Sequence, residues 1–116
     1  MAAKEVGTGL VDLCKQGNFE EAVKTYYHED IVSVEPMGDP REVRGLEAVL
    51  GKLDWWNENV EVHSATVEGP FVNGDEFAVV FKLDSTMKKS GERSEMQEVA
   101  VYTVKDDKIV HERFLA

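Results

Sequence analysis

The sequence changes texture at Val60. Ahead of it, apolar residues recur at helical spacing. Behind it they alternate with polar ones, β-branched residues become common, and turn chemistry returns at intervals. Helices gathered before a run of strands cannot form the alternating units of a parallel α/β fold. They must lie together on one face of an antiparallel sheet, an α+β sandwich.

In the helical half, Val6, Leu10, Leu13 and Cys14 share one face of a first helix that Gly17 stops. Asn18, with Glu21 three residues on, has the form of a capping box for a second helix. Its apolar side is Phe19, Ala22, Val23 and Tyr26 or Tyr27, and His28 at its end reads as a cation near the helix dipole. Ile31 to Glu35 reads as a short strand, closed by Pro36 and a loop from Met37 to Val43. Gly45 begins a third helix with the stripe Leu46, Val49, Leu50, Leu53 and Trp56, leaving Trp55 on a flank.

Four strands follow, from about Val60 to Glu68, Glu76 to Met87, Arg93 to Lys105 and Lys108 to Leu115. The turns Asn73-Gly74-Asp75, Lys89-Ser90-Gly91 and Asp106-Asp107 make them an antiparallel meander. A long sheet twists, so one face can curl round the helices and leave a hollow in which a ligand would sit.

The chain has 116 residues, the length of a single domain spanning 1–116, and 42% hydrophobic content, enough for one core. Its formal charge of −10 disfavours phosphate backbones and anionic membranes, so neither nucleic acid nor membrane is expected as a partner. The lone Cys14 excludes a disulfide framework and a thiolate metal site. His28, His63 and His111 lack metal-ligand spacing, so no metal is expected. Met1 to Glu5 lacks the apolar run of a signal peptide and no segment reaches membrane-spanning length, which points to a cytoplasmic protein.

The stretch Ser33-Val34-Glu35-Pro36-Met37-Gly38 sets a carboxylate at the last extended residue before a turn. There it is either solvated at a loop mouth or held at a pocket edge, where partial burial would raise its pKa towards that of a working base. With Gly17-Asn18-Phe19, Arg44-Gly45 and Asp107-Lys108-Ile109-Val110, and with the order of elements over nearly the whole chain, this stretch resembles the nuclear transport factor 2-like superfamily. That superfamily includes ketosteroid isomerases and SnoaL-like polyketide cyclases. The resemblance implies a cystatin-like cone, with three helices on a curved, mostly antiparallel sheet round an internal pocket.

The resemblance also implies that Glu35 stands where the steroid isomerases have their proton-abstracting aspartate. Their two oxyanion donors would fall on Leu10 and near Ala100, so steroid isomerisation by that mechanism is not expected. It favours Met96, Glu98, Ala100, Tyr102 and Val104 facing the hollow, with Val110, Glu112, Phe114 and Ala116 beside them and His111 and Arg113 outward. Glu35, Glu98 and Glu112 would then share a pocket with Trp56, Tyr102, Phe114 and Tyr26, and at least one carboxyl would titrate high. The plainer alternative has Glu98 and Glu112 paired at a rim or solvated.

His63 serves Glu35 as acid, base or orienter if it faces inward; otherwise it lies on the surface or at an interface. Trp56 and Tyr26 stand equally at core-packing positions, and Cys14 reads as a core filler.

Three functions stay open. One is a cofactor-free isomerase, cyclase or dehydratase acting on a small carbonyl or polyketide-like compound, with Glu35 as base. The others are a pocket that binds a small hydrophobic ligand without chemistry, and a protein-interaction module. Val99, Val101 and Thr103 form an apolar patch on the sheet's back, and the resemblance implies a homodimer through that face.

Overall fold

In a computed structural model that describes residues 2–38 and 41–115, the chain folds as three helices on one six-stranded mixed sheet. In chain order these are α1 (Ala2–Lys15), α2 (Phe19–Tyr26), β1 (Tyr27–Val34), β2 (Glu42–Arg44), α3 (Leu46–Asn59), β3 (Val60–Asn73), β4 (Glu76–Met87), β5 (Arg93–Lys105) and β6 (Lys108–Leu115). The sheet order is β2-β1-β6-β5-β4-β3. All neighbours are antiparallel except β1 and β6, which run parallel.

The α+β architecture expected from the sequence is therefore observed. Asp39, Pro40 and Ala116 lie outside the described residues.

The first helix ends as glycine at φ +79 allows. The Gly17 N–H bonds the Cys14 carbonyl at 3.0 Å and the Asn18 N–H reaches back to Leu13 at 2.9 Å, a Schellman turn. That turn corrects the expected capping box. Asn18 precedes α2, but its side chain makes no cap bond and donates instead to Gln16 Oε1. Its backbone is already committed to closing α1.

Two further expectations are revised beside it. Tyr27 and His28 leave the helix for β1, where His28 Nδ1 accepts the Asp30 N–H at 2.9 Å, so His28 caps nothing. The segment from Met37 to Val43 contains part of β2, a three-residue charged edge strand that antiparallel pairing with Val32 to Val34 defines.

The later strands begin and end where alternation placed them, save that β3 runs five residues past Glu68 to Asn73. Gly69 and Pro70 resemble a strand breaker. The ladder absorbs them as an irregularity between Glu68 and Phe71. At the other end of the sheet, Asp106 and Asp107 both take positive φ, 51 and 64, as a tight two-residue hairpin requires.

A bulge follows this hairpin. Val104 faces Ile109 but Thr103 faces His111, so Val110 is the extra residue. Ile109, not Val110, therefore fills the core, while Glu112 and Phe114 keep the inward direction expected of them.

The core lies between the helices and the inner sheet face. Phe77, 1% exposed, stacks on Tyr102 with ring centroids 4.8 Å apart. Above it α1 passes so closely that a Cβ at Gly7 would come 2.9 Å from Pro70 and 3.1 Å from Phe77. Phe77→Ala should lower the unfolding free energy by about 3–5 kcal/mol, measured by urea denaturation, because neither Gly7 nor Tyr102 can move in to fill the space.

Candidate functional site

Beside this core the helices stand away from the sheet and leave a cavity of about 460 Å³. Leu10 and Cys14 of α1, Phe19 and Val23 of α2, and Val49, Leu53 and Trp56 of α3 form its apolar wall. Phe81, Tyr102 and Tyr27 rise from the sheet, and Glu35, Lys52 and Glu112 supply the charge.

Strand alternation brings the polar groups together. Ile31, Ser33 and Glu35 project to one side at successive alternate positions along and just beyond β1, and Ser33 pairs with Glu112 on β6. Glu112 is only 2% exposed. Its two oxygens accept hydrogen bonds from the Tyr27 hydroxyl and, at 2.6 Å, from Ser33 Oγ. Lys52 then reaches down from α3. Its Nζ donates to Ser33 Oγ at 2.8 Å and to Glu35 Oε2 at 2.9 Å, and lies 5.5 Å from the centroid of the Phe114 ring.

A continuous polar chain thus runs from Glu35 at the rim, whose side chain is 38% exposed, to Tyr27 in the interior. Arg41 braces the rim end, its carbonyl accepting the Glu35 N–H at 2.7 Å.

Burial raises the Glu112 carboxyl pKa. The bonds from Ser33 and Tyr27 and the Lys52 charge work against that rise, and the Glu35 charge adds to it. Glu98, opposite Phe81 across the β4–β5 ladder, is pushed up to about 7 by burial and then by the charges of Glu35 and Glu112, with Lys52 opposing. Burial likewise drives Tyr27 and Tyr102 upward, reinforced by Glu112, and carries the Cys14 thiol to about 12. That thiol is protonated and inert.

Of the residues singled out in the sequence, Glu35, Trp56, Tyr102 and Glu112 line the cavity. Phe114 supports Lys52 from beneath, and Glu98 is close enough for the other two acids to raise its pKa.

Two stand elsewhere. The Tyr26 hydroxyl covers Gly9 on α1 and fills what a side chain there would occupy. His63 sits at an irregularity of β3 between Val62 and Ser64, which turns its ring away from the helices; its Nε2 is 2.7 Å from Thr86 Oγ1.

Sequence reasoning passed over Lys52, Ser33 and Tyr27. Lys52 falls three residues after Val49 and four before Trp56, in the apolar stripe itself, a place where a lysine needs a partner. Trp55, assigned to a flank, is 55% exposed yet borders the cavity mouth. Leu10 and Ala100, at the positions of the oxyanion donors, are both buried and apolar.

Among the described residues no group of His, Cys, Asp and Glu is arranged to hold a metal ion, and no helix is long and apolar enough to cross a membrane.

The amino-acid sequence matches the family model of the SnoaL-like domain over residues 1–116. The chain belongs to that family.

A Mesorhizobium loti protein described as a SnoaL-like polyketide cyclase, and also as a carbohydrate phosphatase, is 48% identical, with 97% of each chain covered and a TM-score of 0.93. A Bacillus subtilis protein described as an isomerase shares the fold at 16% identity, covering 97% of this SnoaL-like chain and 84% of its own, with a TM-score of 0.74. A nuclear transport factor 2-like protein of unknown function from Burkholderia pseudomallei does so at 12% identity, 99% and 90% coverage and a TM-score of 0.80. A search of the curated proteins gives no match.

The Glu98 carboxyl makes a measurable demand on the SnoaL-like fold. Unfolded chain releases its proton near 4.5, whereas folded chain holds it to about 7, so stability falls across that interval and the loss is complete above it. Thermal melts should show Glu98→Gln matching the parent below about pH 4.5 and exceeding its Tm increasingly up to about pH 7.

Proposed function

We propose that the cavity takes a small, largely apolar carbonyl compound and that Glu35 acts on it as general base, in an isomerisation, cyclisation or dehydration without a cofactor. The observation that carries this reading is the carboxylate of Glu35 held by Lys52, 2.9 Å away, at the edge of a largely apolar cavity. A base beside an apolar hollow can approach a carbon acid without first being buried itself, and a positioned base contributes roughly 10²–10⁴-fold to rate.

The family relationship agrees, since a cyclase and an isomerase are among the described likenesses. A phosphorylated sugar suits this cavity poorly, because one ammonium would face it beside Glu35 and Glu112. This reading gives no role to His63, which is bonded to Thr86.

The test is deuterium incorporation from D₂O into the α-positions of a panel of small ketones and β-keto esters, followed by proton NMR. The parent protein should accelerate exchange for the compounds that bind, and Glu35→Gln should reduce it about 100-fold or more while binding persists. Binding with no exchange in either form would leave a non-catalytic carrier.

The outer sheet face we assign to a second copy of the chain. Phe71, Ala78 and Val101 align across three strands there, as do Val80, Val99 and Leu115, with Phe71 57% exposed. Contiguous apolar surface of this kind marks an interface. Analytical ultracentrifugation should find a dimer that Val101→Lys converts to monomer; a monomeric parent would refute it. A cytoplasmic setting suits the single unpaired thiol, Cys14.

A further inference from the structure

We propose that Lys52 is the catalytic counter-ion of this site, paired with Glu35 before proton transfer and with the substrate's enolate oxygen after it. The inference rests on the reading of Glu35 as base and says where the developing charge goes once the sequence has put Leu10 and Ala100 in place of oxyanion donors.

The geometry is specific. Among the described residues Lys52 is the sole cation lining the cavity. Two of its three N–H groups are engaged, by Glu35 and by Ser33, and among the described residues no oxygen takes the third. The Ser33 hydroxyl cannot rotate to release it. Its own proton is given to Glu112, so its lone pair stays turned to the ammonium. Tyr27 fixes the other oxygen of Glu112, and the Phe114 ring lies beneath the Nζ. The ammonium is therefore preorganised, at a side-chain exposure of 30%, with one donor free for a ligand oxygen.

The step balances without any outside group. A Glu35 oxygen takes the α-proton, the C–H electron pair becomes the enolate C=C bond, and the carbonyl π pair moves onto oxygen. Glu35 is now a neutral acid and the enolate carries the charge Glu35 has lost. Net charge in the cavity is unchanged, and the negative charge has moved only from one neighbour of Lys52 to another. Return of the proton to a different carbon completes an isomerisation and restores the Glu35–Lys52 pair.

Phenols of graded acidity imitate the enolate, and a phenol's spectrum reports its ionisation when bound. At one fixed pH, the parent should bind the more acidic members as phenolates. Glu35→Gln imitates the neutral acid and leaves the ammonium without its anion, so it should bind the same phenolates at least 10-fold more tightly. Lys52→Met should weaken them at least 10-fold, and Lys52→Arg should keep most of the parent's preference.

The methyl ethers of the same phenols carry no charge. They should bind the parent, Lys52→Met and Glu35→Gln alike, which separates loss of the cation from loss of the cavity. Phenolates bound equally by Lys52→Met and the parent, phenols bound only in neutral form, or no binding of any phenol would each overturn the proposal. A phenolate preference that obeys these variants, in a protein that exchanges no α-deuterium, would instead overturn the base and leave the anion site standing.

Discussion

Glu112 is a carboxyl buried in the sheet, 2% exposed, and its compensation organises the site around it. An ionised carboxylate without partners in such a place would cost several kcal/mol. Here Ser33 arrives from β1, Tyr27 from the junction of α2 and β1, and the charge of Lys52 from α3 through the serine. Elements distant in the chain meet at one acid. The parallel pairing of β1 with β6, the one exception in an antiparallel sheet, is what sets Ser33 beside it.

The same network divides labour among the acids. Glu112 is bonded at both oxygens and serves as an anchor. Glu35 stands at the rim, where it can meet a ligand. Glu98 is crowded by both and holds its proton to about 7. Three carboxyls of like chemistry thus stand in different surroundings because burial and partners differ. With one ammonium among them, the cavity offers little to a second anion unless a proton moves first.

Much of this was legible beforehand because it rests on local pattern. Three helices, the meander and its turns follow from periodicity and glycine placement, and Glu35 followed from its position between a strand and a turn. What escaped depends on tertiary placement. Lys52 was hidden by the habit of reading lysines as solvated, although its spacing from Val49 and Trp56 set it on the buried stripe. Ser33 is unremarkable until β6 lies beside it. The three residues of β2, two of them charged, look like loop until β1 supplies a partner. His28 changes element because the Tyr27 side chain goes into the core and takes the backbone into the strand.

The bulge at Val110 has a consequence for how the last hairpin is built. A two-residue turn at Asp106-Asp107 matches Lys105 with Lys108 and Val104 with Ile109. Continued without interruption, that count would bring Glu112 opposite Val101, on the outer face. The extra residue advances the strand by one and brings the acid opposite Tyr102, inside. Turn and site thus make incompatible demands on register, and Val110 reconciles them. A hairpin shorter by that one residue would run as a plain ladder with the acid still inward. Between related chains, a single-residue gap at Val110 or at His111 is therefore compatible with unchanged chemistry, whereas loss of both would set the acid opposite Thr103, on the outer face.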